Sequence, residues 1–209
     1  MHVKHLGDAL DFWKGGFFKL LGNALNNFHV LPMFTDVNAS DVWMGNCMHA
    51  YVTLLGVHKE RILRSADQFK KEDAGRIEYF EEINLDCDAD LFVDPDTGIE
   101  PPGGGDHRHI RVKGINVLLP NDSKRVLLIY QHRTHESDWV ENCLKKVSNH
   151  ENLKAFAYDA GGAAMIFVAR RENQRLNAMR KYLHDNITHL FSEEVDRLTD
   201  IYPTVPSGP

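Results

Sequence analysis

The sequence predicts an α/β fold: a three-layer sandwich on a doubly wound, mostly parallel sheet, with a late antiparallel pair at one edge. Three observations carry this expectation. Short uninterrupted apolar runs, such as Val126-Leu127-Leu128-Ile129, read as strands covered on both faces. They alternate with stretches whose apolar residues recur every three or four positions, the period of a helix buried on one side. The length, 209 residues, suits one sizeable domain and is short for two. Residues 1–201 are therefore expected to form a single α/β domain, and residues 202–209, rich in Pro, Gly and Ser, a flexible tail.

The elements follow in order. Leu6, Leu10, Trp13, Phe17, Leu20, Leu21 and Ala24 line one face of a helix over 6–25, in which Gly15, Gly16 and Gly22 allow close packing on a neighbour. Residues 29–34 read as a buried strand running into Thr35-Asp36-Val37-Asn38. Ser40 or Asp41 caps a helix that continues to Leu55. Residues 59–82 are charged and mostly helical, with Gly75 as a break. Leu91-Phe92-Val93 is a short buried strand, and 100–108 a Pro/Gly-rich loop. Residues 125–130 form the strongest strand, and 137–148 a helix. Residues 154–158 and 163–169 form the antiparallel pair around the turn Asp159-Ala160-Gly161-Gly162, and 172–197 a last helix.

Composition bounds the function. Hydrophobic residues make up 43% and charged residues 26%, as in an ordinary globular protein. A formal net charge of -6 argues against a broad cationic surface for nucleic acid, though not against a local patch. Cys47, Cys87 and Cys143 lack the spacing of a zinc ribbon or a disulfide framework, so a reducing, cytoplasmic setting is expected. Asp8, Asp11 and Lys14 interrupt the N-terminal apolar residues before a signal-peptide core forms, and no apolar run approaches the ~20 residues of a membrane span.

Polar side chains cluster where the strands end. Asp36 and Asn38 follow one strand. Asp94 and Asp96, in Asp94-Pro95-Asp96-Thr97-Gly98-Ile99-Glu100, follow another. Gln131, His132 and Arg133 follow a third. Open α/β sheets bind ligands at the carboxyl ends of their strands, so these ends form the expected active-site rim. The competing explanation for Asp94–Gly98 is an ordinary capped turn. His132 is placed to act as a base or to position a leaving group. His107 and His109 read as exposed loop residues. The stretch from His107 to Lys113, including Arg111, is a local basic patch suited to phosphate, whereas Arg170, Arg171, Arg175, Arg180 and Lys181 read as a solvated helix face. Asp8, Asp11 and Lys14 recur at three-residue spacing, as an ion pair would. Phe12, Trp13, Phe17 and Phe18 are expected in the core.

Three blocks carry a resemblance: Gly7-Asp8-Ala9-Leu10-Asp11-Phe12-Trp13-Lys14, Asp94 to Glu100, and Tyr130-Gln131-His132-Arg133. The chain resembles a bacterial family with GDxxDFxK, DPDxGxE and YQHxR motifs. More distantly it resembles the ribosomal-RNA adenine N6-methyltransferases, whose DPPY motif stands where Asp94-Pro95-Asp96-Thr97 stands here. That resemblance implies the methyltransferase version of the doubly wound sheet, S-adenosylmethionine as cofactor and a nucleotide or nucleic-acid substrate. Asp36 and Asn38 would then hold the cofactor, and Asp94 and Asp96 would accept hydrogen bonds from the target amine. His132 and Arg133 would orient the substrate, with Lys14, Gln131 and Arg111 as further substrate contacts.

Two other readings stay open. No glycine follows the first strand before Gly45, and Thr97 replaces the aromatic that stacks on a flipped base. Asp94 and Asp96, two apart and joined by Asp36, equally suit Mg²⁺ in a phosphodiesterase or nuclease, because hard carboxylate oxygens hold that ion against substrate phosphates. The acidic pattern resembles that of toprim-type nucleases and topoisomerases, with Asp36 in place of their glutamate. The third reading is a non-catalytic binding module on a degenerate methyltransferase fold.

Overall fold

The computed structural model describes residues 5–35, 41–63, 73–101, 104–150, 152–187 and 198–200, with side chains left aside at 41–44, 73–74, 187 and 198–200. Its main sheet has the order β1 (His29–Pro32), β2 (Leu91–Asp94), β5 (Leu127–His132), β7 (Ala163–Arg170), β6 (Leu153–Asp159) and β8 (Leu198–Asp200). Strands β1, β2 and β5 pair in parallel; β7 opposes β5 and β6, and β8 opposes β6. Four of the six strands thus share one direction, in an arrangement compatible with a doubly wound fold. A two-stranded ladder of β3 (Gly98–Ile99) and β4 (His109–Ile110) stands apart.

The sheet is covered on both faces, and strand periodicity decides which residue meets which layer. Val30, Phe92, Leu128 and Phe167 share a core with α1 (Ala9–Leu21), α2 (Asp41–Leu55) and α6 (Gln174–Ile187), through Phe17, Leu21, Tyr51, Leu55 and Leu176. Their neighbours Leu31, Leu91, Val93, Leu127 and Ile129 face α3 (Asp73–Glu81), α4 (Val112–Leu118) and α5 (Trp139–Ser148), through Phe80, Ile115 and Leu144. Each of these fully buried side chains contributes roughly 1.5–3 kcal/mol relative to exposure.

Several expectations shift. The first helix is shorter than 6–25: Asp8 caps it by accepting from the backbone N–H groups of Leu10 and Asp11, and Gly22, at φ +44°, ends it. Helix α4 arises from the end of the basic stretch, whose charges conceal Ile115 and Leu118 on a buried face. The antiparallel pair is not wholly at the edge. Every residue of β7 is buried, and it sits between β5 and β6 while β8 covers the outer side. Chain order alone does not say which member of a hairpin joins the existing sheet. Phe12, expected in the core, is 69% exposed, whereas Phe17 and Phe18 are buried.

Helix α1 lies tightly against α2. A Cβ at Gly15 would come within 1.8 Å of the Leu54 carbonyl oxygen, so only glycine permits this crossing, while the same atom at Gly16 would meet nothing. At the amino end of the sheet, buried Asp90 accepts from the backbone N–H of Asn26 (2.7 Å) and Val126 (2.9 Å) and forms a two-pronged pair with Arg175 at 2.8 and 2.7 Å. This cluster ties the β1–β2 connection, β5 and α6 together, at the opposite end from the predicted rim.

Candidate functional site

Alternation along β2 puts Asp94 on the same face as Phe92, towards α1 and α2. Alternation along β5 puts Tyr130 there with Leu128. Pro32 pairs with Asp94, and the β2–β5 ladder closes at Val93 with Ile129, so Asp94 and Tyr130 come next, side by side at the carboxyl ends. Helix α1 crosses above them. Its buried residues Asp11, Lys14, Gly15, Phe18 and Leu21 follow the three- and four-residue spacing of one stripe, which carries two charged groups into the core.

Lys14 Nζ donates to both carboxylate oxygens of Asp94 at 2.9 Å and to Asp11 Oδ1 at 3.0 Å. Tyr51, from α2, donates its hydroxyl to Asp94 Oδ2 at 2.8 Å, and the Gly7 backbone N–H donates to Asp11 Oδ2 at 2.7 Å. The ammonium lies 4.3 Å from the centroid of the Tyr130 ring. Residue exposure is 0% for Asp11, 3% for Lys14 and 1% for Asp94. The Tyr130 hydroxyl is buried as well and has no hydrogen-bond partner among the described residues.

Two carboxylates therefore share one ammonium out of water. Burial is the main reason that the Asp11 pKa rises to about 6, with Lys14 pulling it down and Asp94 pushing it up. Burial also opposes the charge on Lys14, but Asp94 and then Asp11 outweigh it and raise its pKa. Burial, followed by the Asp94 charge, raises the pKa of both Tyr51 and Tyr130, so both hydroxyls keep their protons.

His132 lies two residues beyond Tyr130 on the same face, its ring edge-on to the Tyr130 ring at 5.2 Å, and is exposed. Partial desolvation, then the Lys14 charge, lowers its pKa, against the pull of Asp96 and Asp8. Asp96 is half-buried just past the strand end. Asp36 and Asn38 lie outside the described residues.

The sheet separates Gln131 and Arg111 from this cluster. Gln131 points to the other face, accepting from the Ile99 N–H at 2.7 Å and donating to the Thr97 carbonyl at 3.2 Å. It thereby anchors the ladder that follows the acidic turn. Arg111 is on that side too, bonded to Glu100 at 2.9 Å, and Lys146 joins the same carboxylate at 3.2 Å. Arg133 is exposed and donates to the Gly161 carbonyl at 3.1 Å. His107 and His109 are half-buried, and His109 lies 3.2 Å from Asp106.

Tyr51 is the member that sequence reasoning missed. It sits among Met48 and Leu55 on a buried stripe of α2, where a tyrosine hydroxyl needs a polar partner, and that need was the available signal. A separate groove of about 570 Å³ between α1 and the end of α2, lined by Phe12, Phe28 and Val57, touches none of the charged cluster. Among the described residues no group of three or more His, Cys, Asp or Glu is arranged to hold a metal ion, and no helix is long and apolar enough to cross a membrane. No protein-family model, curated protein or solved structure matches the chain.

Proposed function

We propose that the chain is a methyltransferase-like enzyme acting on an amine of a nucleotide or nucleic-acid substrate, with S-adenosylmethionine as donor. The observation that carries the reading is the pair of buried carboxylates, Asp11 and Asp94, around one ammonium at the carboxyl ends of parallel strands. Its surplus negative charge favours a ligand that brings a cation or a hydrogen-bond-donating amine, and disfavours a bare phosphate. A sulfonium donor and an amine acceptor both match. When bound, S-adenosylmethionine supplies the electrophilic methyl group.

The chain's own residues divide the remaining work. A carboxylate offers about four lone-pair positions. Asp94 uses three of them on Lys14 and Tyr51, which leaves it able to accept from a substrate amine. His132, with its lowered pKa, is neutral at pH 7 and exposed at the rim, where it can take the proton the amine sheds. Arg133 beside it offers a guanidinium to a substrate phosphate.

Mg²⁺-dependent phosphodiester hydrolysis stands second, because Lys14 already holds both Asp94 oxygens and would repel a dication there. Titration calorimetry of the full chain with S-adenosylmethionine and with Mg²⁺, followed by transfer of labelled methyl to nucleosides and RNA, tests the reading. Donor heat and label transfer are expected, with transfer falling at least about 100-fold in His132→Gln, the usual scale for loss of a general base. Heat with Mg²⁺ alone would move the assignment to hydrolysis. Heat with neither would leave a binding module.

A further inference from the structure

We propose that Tyr130 is a ligand-positioning residue whose hydroxyl donates to a neutral hydrogen-bond acceptor on the substrate, adjacent to the amine that Asp94 receives. The inference rests on the proposed reading of the site and adds a specificity element to it.

Three observations converge. Tyr130 is 2% exposed, and its hydroxyl is buried without a partner among the described residues, a costly state for a phenol when every other polar group of the cluster is satisfied. Register sets it beside Asp94 on one face of the sheet, at the end where α/β proteins bind ligands. Its ring is pinned by Lys14 at 4.3 Å, by Trp13 at 6.4 Å and by His132 at 5.2 Å, so the hydroxyl is held in place rather than swinging in solvent. His132 is exposed, which gives this corner of the cluster its solvent edge.

The charge balance selects the acceptor. An anionic acceptor would add to the surplus negative charge of Asp11 and Asp94, whereas a ring nitrogen or carbonyl oxygen adds none. The chemical class is therefore a heterocycle that presents a neutral acceptor next to an amino group.

Tyr130→Phe removes the hydroxyl and keeps the ring. Its melting temperature is expected to equal or exceed that of the wild type, since an unpartnered buried hydroxyl is lost; a clear drop would show an internal partner and overturn the proposal. Calorimetry is then run on both proteins, in the presence of S-adenosylmethionine, with adenosine, cytidine and the analogues in which the ring nitrogen beside the amine is replaced by C–H. The wild type is expected to prefer the parent nucleoside by roughly 3- to 10-fold over its analogue, the scale of one hydrogen bond, and Tyr130→Phe to lose that preference. An undiminished preference in Tyr130→Phe overturns this proposal alone. No binding of any nucleoside by the wild type overturns the functional reading and this inference with it.

Discussion

Replacing Lys14 with methionine isolates the energetics of the buried cluster. The change keeps the apolar stem of the side chain and deletes the ammonium that lies 5.9 Å from the Phe92 ring centroid and 4.3 Å from that of Tyr130. It leaves Asp11 and Asp94, 0% and 1% exposed, without a counter-ion. Breaking a buried pair by removing one partner costs about 3–5 kcal/mol, out of a total stability of about 5–15 kcal/mol. For a chain of this size each kcal/mol moves Tm by about 2–4 °C, so a drop of roughly 6–20 °C is expected. Urea unfolding at pH 8 and pH 5 is the assay. The loss should shrink at pH 5, because Asp11, raised to about 6 by burial and by Asp94 and no longer pulled down by Lys14, then takes up a proton. Adding Asp11→Asn and Asp94→Asn should recover most of it, since an ion cluster exchanged whole for neutral groups is often close to neutral. A loss below about 1 kcal/mol, the worth of an exposed pair, or one that is equal at both pH values, would refute the view of Lys14 as the cation that compensates a dry acidic site.

The raised Asp11 pKa means that its stabilising effect is complete below about pH 4, the ordinary carboxylate value, and is lost as pH rises through about 6. The unfolding free energy of wild type minus that of Asp11→Asn, taken from urea curves, should therefore fall by up to about 3 kcal/mol between pH 4 and pH 7.5, and a flat difference would deny the shift. Gly15→Ala should cost about 1–3 kcal/mol from the clash with the Leu54 carbonyl, whereas exposed Gly16→Ala should add up to about 1 kcal/mol; equal thermal shifts would contradict the close crossing of α1 on α2. Asp90→Ala removes one partner of Arg175, which keeps its bonds to the Ala24 and Lys124 carbonyls, and strands two backbone donors at about 1–3 kcal/mol each, so a loss of about 2–6 kcal/mol is expected in chemical denaturation. Ligand affinity measured well below the melting temperature should not change, because Asp90 sits at the far end of the sheet.

Much of this architecture is legible in local sequence. The apolar runs mark β1, β2, β5, β6 and β7, and the three- and four-residue stripes mark α1, α2 and α5, because burial of one face leaves a period in the chain. The acidic turn falls at the end of β2, where the apolar run Leu91-Phe92-Val93 stops. The parity of β5 also says that His132 shares a face with Tyr130 and that Gln131 does not, a signal that grouping polar residues by strand end alone does not use. Elements without long periodic runs escaped: α4 spans Val112–Leu118 behind basic residues, and β3 and β4 pair over two residues each.

What the sequence determines by itself is the layer order and the end of the sheet where polar groups gather, since both follow from periodicity and from where apolar runs stop. Only the tertiary structure decides what those groups meet. Lys14 and Asp94 lie 80 positions apart, and Tyr51 reaches the same carboxylate from another helix. Such contacts depend on the crossing of α1 over β2 and β5, which is set by Gly15 against Leu54 and by parallel register; the glycines of α1 announce a close neighbour, but no local pattern names that neighbour or the register. For that reason Asp94 reads in the sequence as an open acid at a strand end, and in the fold as a buried one already held by an ammonium, beside a tyrosine hydroxyl still without a partner among the described residues.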